Sequence, residues 1–174
     1  MSPRRATEVL IVLTILVISM GGMIRIYDAG ESCPDWPTCF GTWGFDISEE
    51  EQGEWWEENP DEADSRGSGH RYSSFQIFTE WFHRLLAGAF VGPLVILNWL
   101  LIRKEAWTSP RVKGVSSLTL GLILWQGAIG WLTVKMDNEN WSVAIHLGSA
   151  MAFMLSLIWL WMELSLIHIS EPTR

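Results

Sequence analysis

Formal charge is absent from four long stretches of this sequence of 174 residues, although the whole chain carries 12 basic and 20 acidic residues. The uncharged stretches are Val9–Ile24, Leu85–Ile102, Gly114–Val134 and Asn140–Met162. An α-helix of about 20 residues crosses a hydrocarbon core roughly 30 Å thick. A soluble four-helix bundle would need polar outer faces, which stretches such as LIVLTILVISMGGMI lack. The sequence therefore predicts an all-α integral membrane four-helix bundle.

A signal peptide is a poor alternative for the first stretch, because Arg25 stands where a small-residue cleavage site would be sought. Long side chains at span ends reach back to the interface, which extends the uncharged stretches slightly. The predicted spans of the membrane domain, residues 1–164, are 7–26, 78–102, 114–134 and 141–162.

Basic residues are scarce between the first two spans, where 13 acidic residues stand against only Arg66 and Arg71. Cytoplasmic loops carry an excess of Lys and Arg. Six short-loop cations lie before the first span and between the second and third: Arg4, Arg5, Arg103, Lys104, Arg111 and Lys113. This distribution predicts a multi-pass protein of the cell membrane with both termini in the cytoplasm and residues 28–77 outside.

Cysteine is rare, and both cysteines, Cys33 and Cys39, lie in the predicted outer loop. Disulfides persist on that side of a membrane, and Pro34 and Pro37 stiffen the intervening turn. We expect a disulfide between the two cysteines. A zinc site is a weaker alternative, since no histidine lies nearby, and a redox-active dithiol is another.

The outer loop also contains an acidic insertion, residues 46–69. It lacks the alternating Asp/Asn spacing and central glycine of a calcium loop. We interpret it as a solvated, mobile insertion, with Trp55 and Trp56 docking on headgroups or on a partner as the alternative. His70 lies in this stretch and receives no specific role.

Two of the four histidines occupy matching places in the predicted spans. His83 lies about five residues below the outer end of the second span, and His146 lies at the same depth in the fourth, which runs in the same direction. Paired histidines on facing helices of a bundle are a known way to hold haem iron. The alternative is that each is a hydrogen-bonded core residue. His168 lies near the opposite face and cannot join the pair.

Three charged residues surround the histidine pair. Glu80 precedes His83 by three residues and so shares its helix face, where it has the chemistry to orient the imidazole or to act as acid or base. A simpler explanation is a helix N-terminal carboxylate favoured by the macrodipole. Arg25 and Arg84 lie at outer span ends and are candidates for pairing with haem propionates, with snorkelling to the interface as the alternative.

Three blocks of sequence resemble the haem A synthase family. They are GGMIRIYDAGESCPDWPTCFGTW, then EWFHRLLAG, and then QGAIGWLTV paired with HLGSAMAF, and together they touch every predicted span. The resemblance implies an enzyme that oxidises the C8 methyl group of haem O towards haem A for terminal oxidases. Family members are typically eight-span proteins with two similar halves, of which one takes haem O and the other holds haem b.

This chain is similar to the amino-terminal half of that family. On the resemblance, His83 and His146 are the ligands of the substrate haem, Glu80 is the catalytic carboxylate, and Cys33 and Cys39 are the outer-loop pair. Haem O synthase, membrane lipid and an electron acceptor are the implied partners, and nucleic acid is not among them. Haem b is expected in a second half or a partner subunit.

The carboxyl end raises a separate question. LSLIHISEPTR resembles the translated read-through of a sequencing adapter, so residues 165–174 are interpreted as a tail outside the membrane domain. Two interpretations stay open: a truncated reading of a longer gene, and a half-size protein that pairs with itself. Two functions also remain as alternatives, a bis-histidine haem b electron carrier and a non-catalytic oxidase assembly factor.

Overall fold

The computed structural model describes the backbone of residues 1–170 and the side chains of residues 1–166. Its α-helices are α1 (Pro3–Ile26), α2 (Glu49–Glu58), α3 (Ser74–Leu85), α4 (Gly92–Lys104), α5 (Pro110–Lys135) and α6 (Asn140–Ser170). The second long helix is continuous from Ser74 to Lys104, because a π-helical segment, Leu86–Val91, joins α3 to α4. Within the described residues, four helices are therefore long and apolar enough to cross a membrane, which confirms the predicted all-α membrane bundle.

Large apolar side chains cover the outside of the bundle. Leu124 and Leu155 are 64% and 66% exposed, and many other apolar side chains on the four long helices are similarly open. Such a surface suits lipid, since a soluble bundle would expose polar side chains there. Inside the bundle, Leu10, Val91, Val95, Phe153 and Leu157 form the central apolar cluster. The chain is a multi-pass membrane protein.

Each long helix begins a few residues before the predicted span. Ser2, Ser73 and Ser109 cap α1, α3 and α5 by accepting hydrogen bonds from backbone N–H groups three residues later. At α3 a capping box pairs Ser73 with Gln76 and moves the helix start from the predicted residue 78 to Ser74. At the other end of the chain, α6 continues to Ser170 and includes the first part of the predicted tail, whereas residues 171–174 lie outside the described residues.

The π-helical segment divides the second span into two parts with different neighbours. Pro93 has no N–H to donate within the helix, and its ring crowds the preceding turn. Gly92 instead donates its N–H to the carbonyl of Ala87, five residues earlier. Above this break α3 packs on α1, and below it α4 packs on both α1 and α5.

The loop layer, residues 27–73, lies over one end of the bundle and has an apolar core of its own. The Cys33–Cys39 disulfide is present as predicted. Phe40, Ile47, Trp56 and Tyr72 are buried beside it and reach Ile77 in α3, so the loop layer continues into the second long helix.

Residues 46–69 are mostly exposed, as expected of a solvated insertion, but the stretch also has a packed side that was not predicted. This stretch contains α2, whose buried Gln52 bonds both the N–H and the carbonyl of Tyr72. Trp55 and Trp56 pack edge-on against Phe40 rather than extending away from the protein. A capping box and aromatic burial thus give structure to a segment that its acidic composition made look unstructured.

Ion pairs around Arg66 connect parts of the loop layer that lie far apart in the sequence. Arg66 pairs with Asp28, Glu31 and Asp64 and lies over the ring of Tyr72. Burial raises the pKa of Glu31 despite the nearby Arg66 guanidinium. Burial also raises the pKa of the Tyr72 phenol, which donates a hydrogen bond to Asp64.

Two further contacts join the loop layer to the α5–α6 turn. Lys135 pairs with Glu62 at 3.0 Å, and the side-chain amide of Asn138 donates to the carbonyl of Gly30 at 2.9 Å. The loop layer is therefore tied to the bundle at both α3 and the α5–α6 turn.

Candidate functional site

His83 lies in α3, nine residues after Ser74, and its ring faces α1. Its Nδ1 is 3.1 Å from the carbonyl oxygen of Val17. A carbonyl only accepts, so the neutral imidazole donates from Nδ1 and keeps a lone pair on Nε2. A Cβ added at Gly21 would lie 3.5 Å from the ring, which is ordinary van der Waals contact. Val17 and Gly21, one helical turn apart, form what we call the α1 seat.

His146 lies in α6, six residues after Asn140, and its ring faces α5. A Cβ added at Gly130 would come within 3.1 Å of the ring, so a methyl group there would require the ring to move by a few tenths of an ångström. One turn earlier, Gln126 donates to the Ser149 hydroxyl at 2.6 Å and to the backbone carbonyl of His146 at 3.4 Å. Gln126 and Gly130 form the α5 seat. The Nδ1 of His146 is buried and has no hydrogen-bond partner within residues 1–166.

The structure brings His83 and His146 into one region of the bundle. Both residues are partly buried, and α1 links them: His83 packs against Gly21, and Arg25, one turn further along α1, bonds Asn140 at the start of α6. The helices that carry them are not packed together, because α3 lies on α1 while α6 lies on α1 and α5. Among the described residues, α3 has no extensive contact with α5 or α6. Two imidazoles therefore approach one region from two separated helices.

Glu80 faces the loop layer rather than the His83 imidazole. It is only 3% exposed, and its Oε2 accepts hydrogen bonds from the Cys33 N–H at 2.9 Å and the Ser32 hydroxyl at 3.1 Å. Its Oε1 accepts from Arg84 at 2.6 Å. The Val17 carbonyl, not Glu80, is therefore the group that orients His83.

The macrodipole explanation for Glu80 is also wrong. Because α3 begins at Ser74, Glu80 lies beyond the first turn, where the field of the helix terminus has faded. Three specific donors account for its burial instead.

Arg84 also faces the loop layer. Besides Glu80, its guanidinium donates to the backbone carbonyls of Cys33 and Asp35, at 2.7 and 2.5 Å. Its side chain is 14% exposed, so it does not snorkel to the interface in the way that a lone arginine would. Glu80 and Arg84 together clamp the disulfide turn onto α3.

Arg25 has a different position from Arg84. It is exposed at the end of α1 and donates to the side-chain oxygen of Asn140, the first residue of α6, at 2.8 Å. This single bond leaves most of its guanidinium donors available to a carboxylate near the histidine pair.

The donor set suits haem better than a compact metal ion. Among the side chains of residues 1–166, no group of three or more His, Cys, Asp or Glu is arranged to hold an ion. Two imidazoles from separate helices are instead the donor set that a bis-histidine haem needs, and the buried Nδ1 of His146 has no hydrogen-bond partner among the described residues. The residues present therefore fit a bis-histidine haem.

Sequence reasoning missed the two seats. Gly21 and Gly130 lie in the sequence blocks GGMIR and QGAIG, but nothing in one chain tells which glycine of each pair meets a histidine. Only the helix packing shows that Gly22 and Gly127 face open space. The Val17 carbonyl has no sequence signal at all, since every residue has one.

Comparison with known proteins gives one family. The family described as "Cytochrome oxidase assembly protein" matches residues 4–174. A heme A synthase of Shewanella oneidensis is 34% identical over 88% of this chain and 43% of its own length. A heme A synthase of Maricaulis maris is 29% identical over 98% of this chain and 53% of its own length.

A third relative, a heme A synthase–mitochondrial ferredoxin fusion protein of Schizosaccharomyces pombe, is 29% identical over 84% of this chain and 26% of its own length. No solved structure matches the chain significantly. The chain thus spans about half, or less, of the length of these relatives.

Proposed function

Because this chain belongs to the cytochrome oxidase assembly protein family, with haem A synthases among its relatives, we propose that it takes part in oxidising the C8 methyl group of haem O towards haem A. The observation that carries the proposal is the pair His83 and His146, which enter one region of the bundle from two helices. In this proposal haem O is the substrate and supplies both the methyl group and the iron. Because the chain spans about half of its relatives, haem b would belong to a second half or to a partner subunit.

The proposed roles follow from contacts for the histidines and arginines, and from position along α3 for Glu80. His83 and His146 would hold the haem iron, His83 through Nε2, because its Nδ1 is bonded to the Val17 carbonyl. Arg25 is the better propionate partner, because Arg84 is already bonded to Glu80 and to loop carbonyls. Glu80 is the carboxylate nearest to His83 along α3, and we propose that it accepts a proton during oxidation.

The proposed reaction also needs groups that this chain does not supply. Conversion of a methyl to a formyl group requires a source of one oxygen atom, either water or O₂, and with water it also requires an acceptor for the electrons removed. We propose a separate membrane-associated electron acceptor, and a haem O synthase as the source of substrate. The loop layer would lie outside the cell membrane with both termini in the cytoplasm, as the distribution of basic residues favours.

The experiment is to express the chain with a haem O supply and to extract the haems for identification. Wild type is expected to yield hydroxylated or formyl haem. Glu80→Gln keeps the acceptor oxygen for Cys33 and Ser32 but removes the charge, so it should retain haem and lose product. Ser32→Ala is the matched control, because it removes one donor to Glu80 and leaves the carboxylate intact. Full product formation by Glu80→Gln would remove the catalytic assignment.

A second candidate function is a bis-histidine haem electron carrier. The observation that favours it is the engagement of Glu80 and Arg84 in the clamp, which gives both residues a structural reason to be present. If the chain is an electron carrier, wild type and Glu80→Gln should both bind a haem that can be reduced and reoxidised. Haem O extracted from either protein should then be unaltered.

A further inference from the structure

The two seats are built alike but hold their histidines differently. Each seat is a pair of residues one helical turn apart on a neighbouring helix, with a glycine against the ring. In the α1 seat the Val17 carbonyl accepts a hydrogen bond from Nδ1 of His83. In the α5 seat Gln126 bonds the Ser149 hydroxyl and the His146 backbone, and Nδ1 of His146 has no partner.

This difference has a known consequence for metal ligation. A hydrogen bond from Nδ1–H fixes the tautomer and the ring orientation and raises the basicity of Nε2. Removing such a bond costs about 10- to 100-fold in metal affinity. His83 has this support and His146 does not.

Steric contact adds to the difference. His83 meets Gly21 at an ordinary distance, whereas His146 lies so close to Gly130 that a methyl group there would displace the ring by a few tenths of an ångström. The position of His146 therefore depends on an α5 residue that has no side chain, and on the Gln126 amide that holds the adjacent backbone.

We propose that the two axial ligands are unequal: His83 is the fixed ligand, and His146 is the exchangeable ligand that Gln126 and Gly130 position. The inference rests on the proposed haem site. When a small ligand binds, the bond from iron to His146 breaks as the new bond forms, and iron keeps its oxidation state. Haem stays attached to α3 through His83 throughout.

The first test measures carbon monoxide binding to the full chain in lipid nanodiscs, loaded with haem b and reduced with dithionite. Gly130→Ala should raise the association rate of carbon monoxide about tenfold, because His146 no longer competes fully for iron. Gly127→Ala on the same helix is the matched control, because a methyl group there meets open space, and it should remain within about twofold of wild type.

Gln126→Met is a second variant that keeps side-chain volume and removes the amide. It should raise the rate in the same direction, so a poorly folded Gly130→Ala does not end the test. Variants of the two proposed ligands, His83 and His146, complete the test. His146→Ala should keep haem in a high-spin form that binds carbon monoxide, whereas His83→Ala should lose haem on a desalting column.

The outcomes separate this inference from the proposed function. Wild-type haem without a low-spin spectrum would overturn both. A low-spin wild type would keep the proposed site, yet the inequality would be overturned by equal haem retention in His83→Ala and His146→Ala. It would also be overturned if Gly130→Ala and Gln126→Met both bound carbon monoxide at the wild-type rate.

Discussion

The loop layer and the membrane bundle are stabilised in opposite ways. The loop layer has a disulfide, ion pairs around Arg66 and an aromatic core, all concentrated within residues 27–73 and the start of α3. The bundle has apolar packing inside and apolar side chains outside, and its buried polar side chains are few and scattered along the helices. The clamp formed by Glu80 and Arg84 joins the two regions. Glu80 lies three residues before His83, and Arg84 lies one residue after it.

The two regions can also be compared in how they accommodate buried polar groups. In the loop layer a buried charge finds several partners, as Arg66 does. Buried polar atoms without a hydrogen-bond partner among the described residues occur in both regions: Trp56 Nε1 in the loop layer, and Asn98 Oδ1 and His146 Nδ1 in the bundle. An unpartnered polar atom within an apolar bundle is costly, so it is the better indicator of a site that completes its bonding with another molecule.

The largest expected effect comes from breaking the clamp between the two regions. Glu80→Ala leaves the Arg84 guanidinium without its carboxylate in a buried place, which should destabilise the loop layer by about 3 kcal/mol. Glu80→Met combined with Arg84→Met removes both charges and should cost less than Glu80→Ala alone. Hydrogen exchange of the loop amides, followed by mass spectrometry, measures both. Equal protection in wild type and Glu80→Ala would show that the clamp does not hold the loop.

The next effect concerns the disulfide, which belongs to the loop layer only. Replacing both Cys33 and Cys39 with serine opens a short ring and should lower loop stability by about 2 kcal/mol. Exchange protection should fall across residues 27–73 and stay unchanged in α5 and the middle of α6. Loss of protection throughout the bundle would contradict the separation between the two regions.

The smallest effect tests α2 within the loop layer. Hydrogen bonds from the Ser48 side chain and backbone lower the pKa of Glu51. A lowered carboxyl pKa contributes stability above the pKa of the unfolded chain, and this contribution is lost as pH falls through the folded-state value. Protection of the α2 amides in wild type should therefore fall with acidification more steeply than in Glu51→Gln, which keeps an uncharged capping box. Parallel curves for the two proteins would exclude this role of the cap.

Hydropathy and charge were enough to predict the four spans and the disulfide, because both depend on local composition and on the side of the membrane. The fold of the acidic insertion was missed, because the burial of Gln52 and Trp56 depends on partners about 20 residues away in the sequence. The partners of Glu80 were missed for the same reason, since Ser32 and Cys33 lie in a loop that packs on α3 only in three dimensions.

The histidine pair was accessible from the sequence because helix rise converts residue number into depth. The direction in which each ring points was not accessible, because it depends on which glycine of GGMIR and of QGAIG lies at a helix contact. The sequence thus indicated the two candidate ligands, and the helix packing shows how each ring is held.

The central claim is that His83 and His146 hold one haem between them. Electron paramagnetic resonance of the ferric, haem-loaded chain tests it most directly, with wild type compared against the variant that carries both His83→Ala and His146→Ala. Our account predicts a low-spin signal typical of two imidazole ligands in wild type and no bound haem in the double variant. A double variant that binds haem at the wild-type stoichiometry with the same low-spin signal would contradict it.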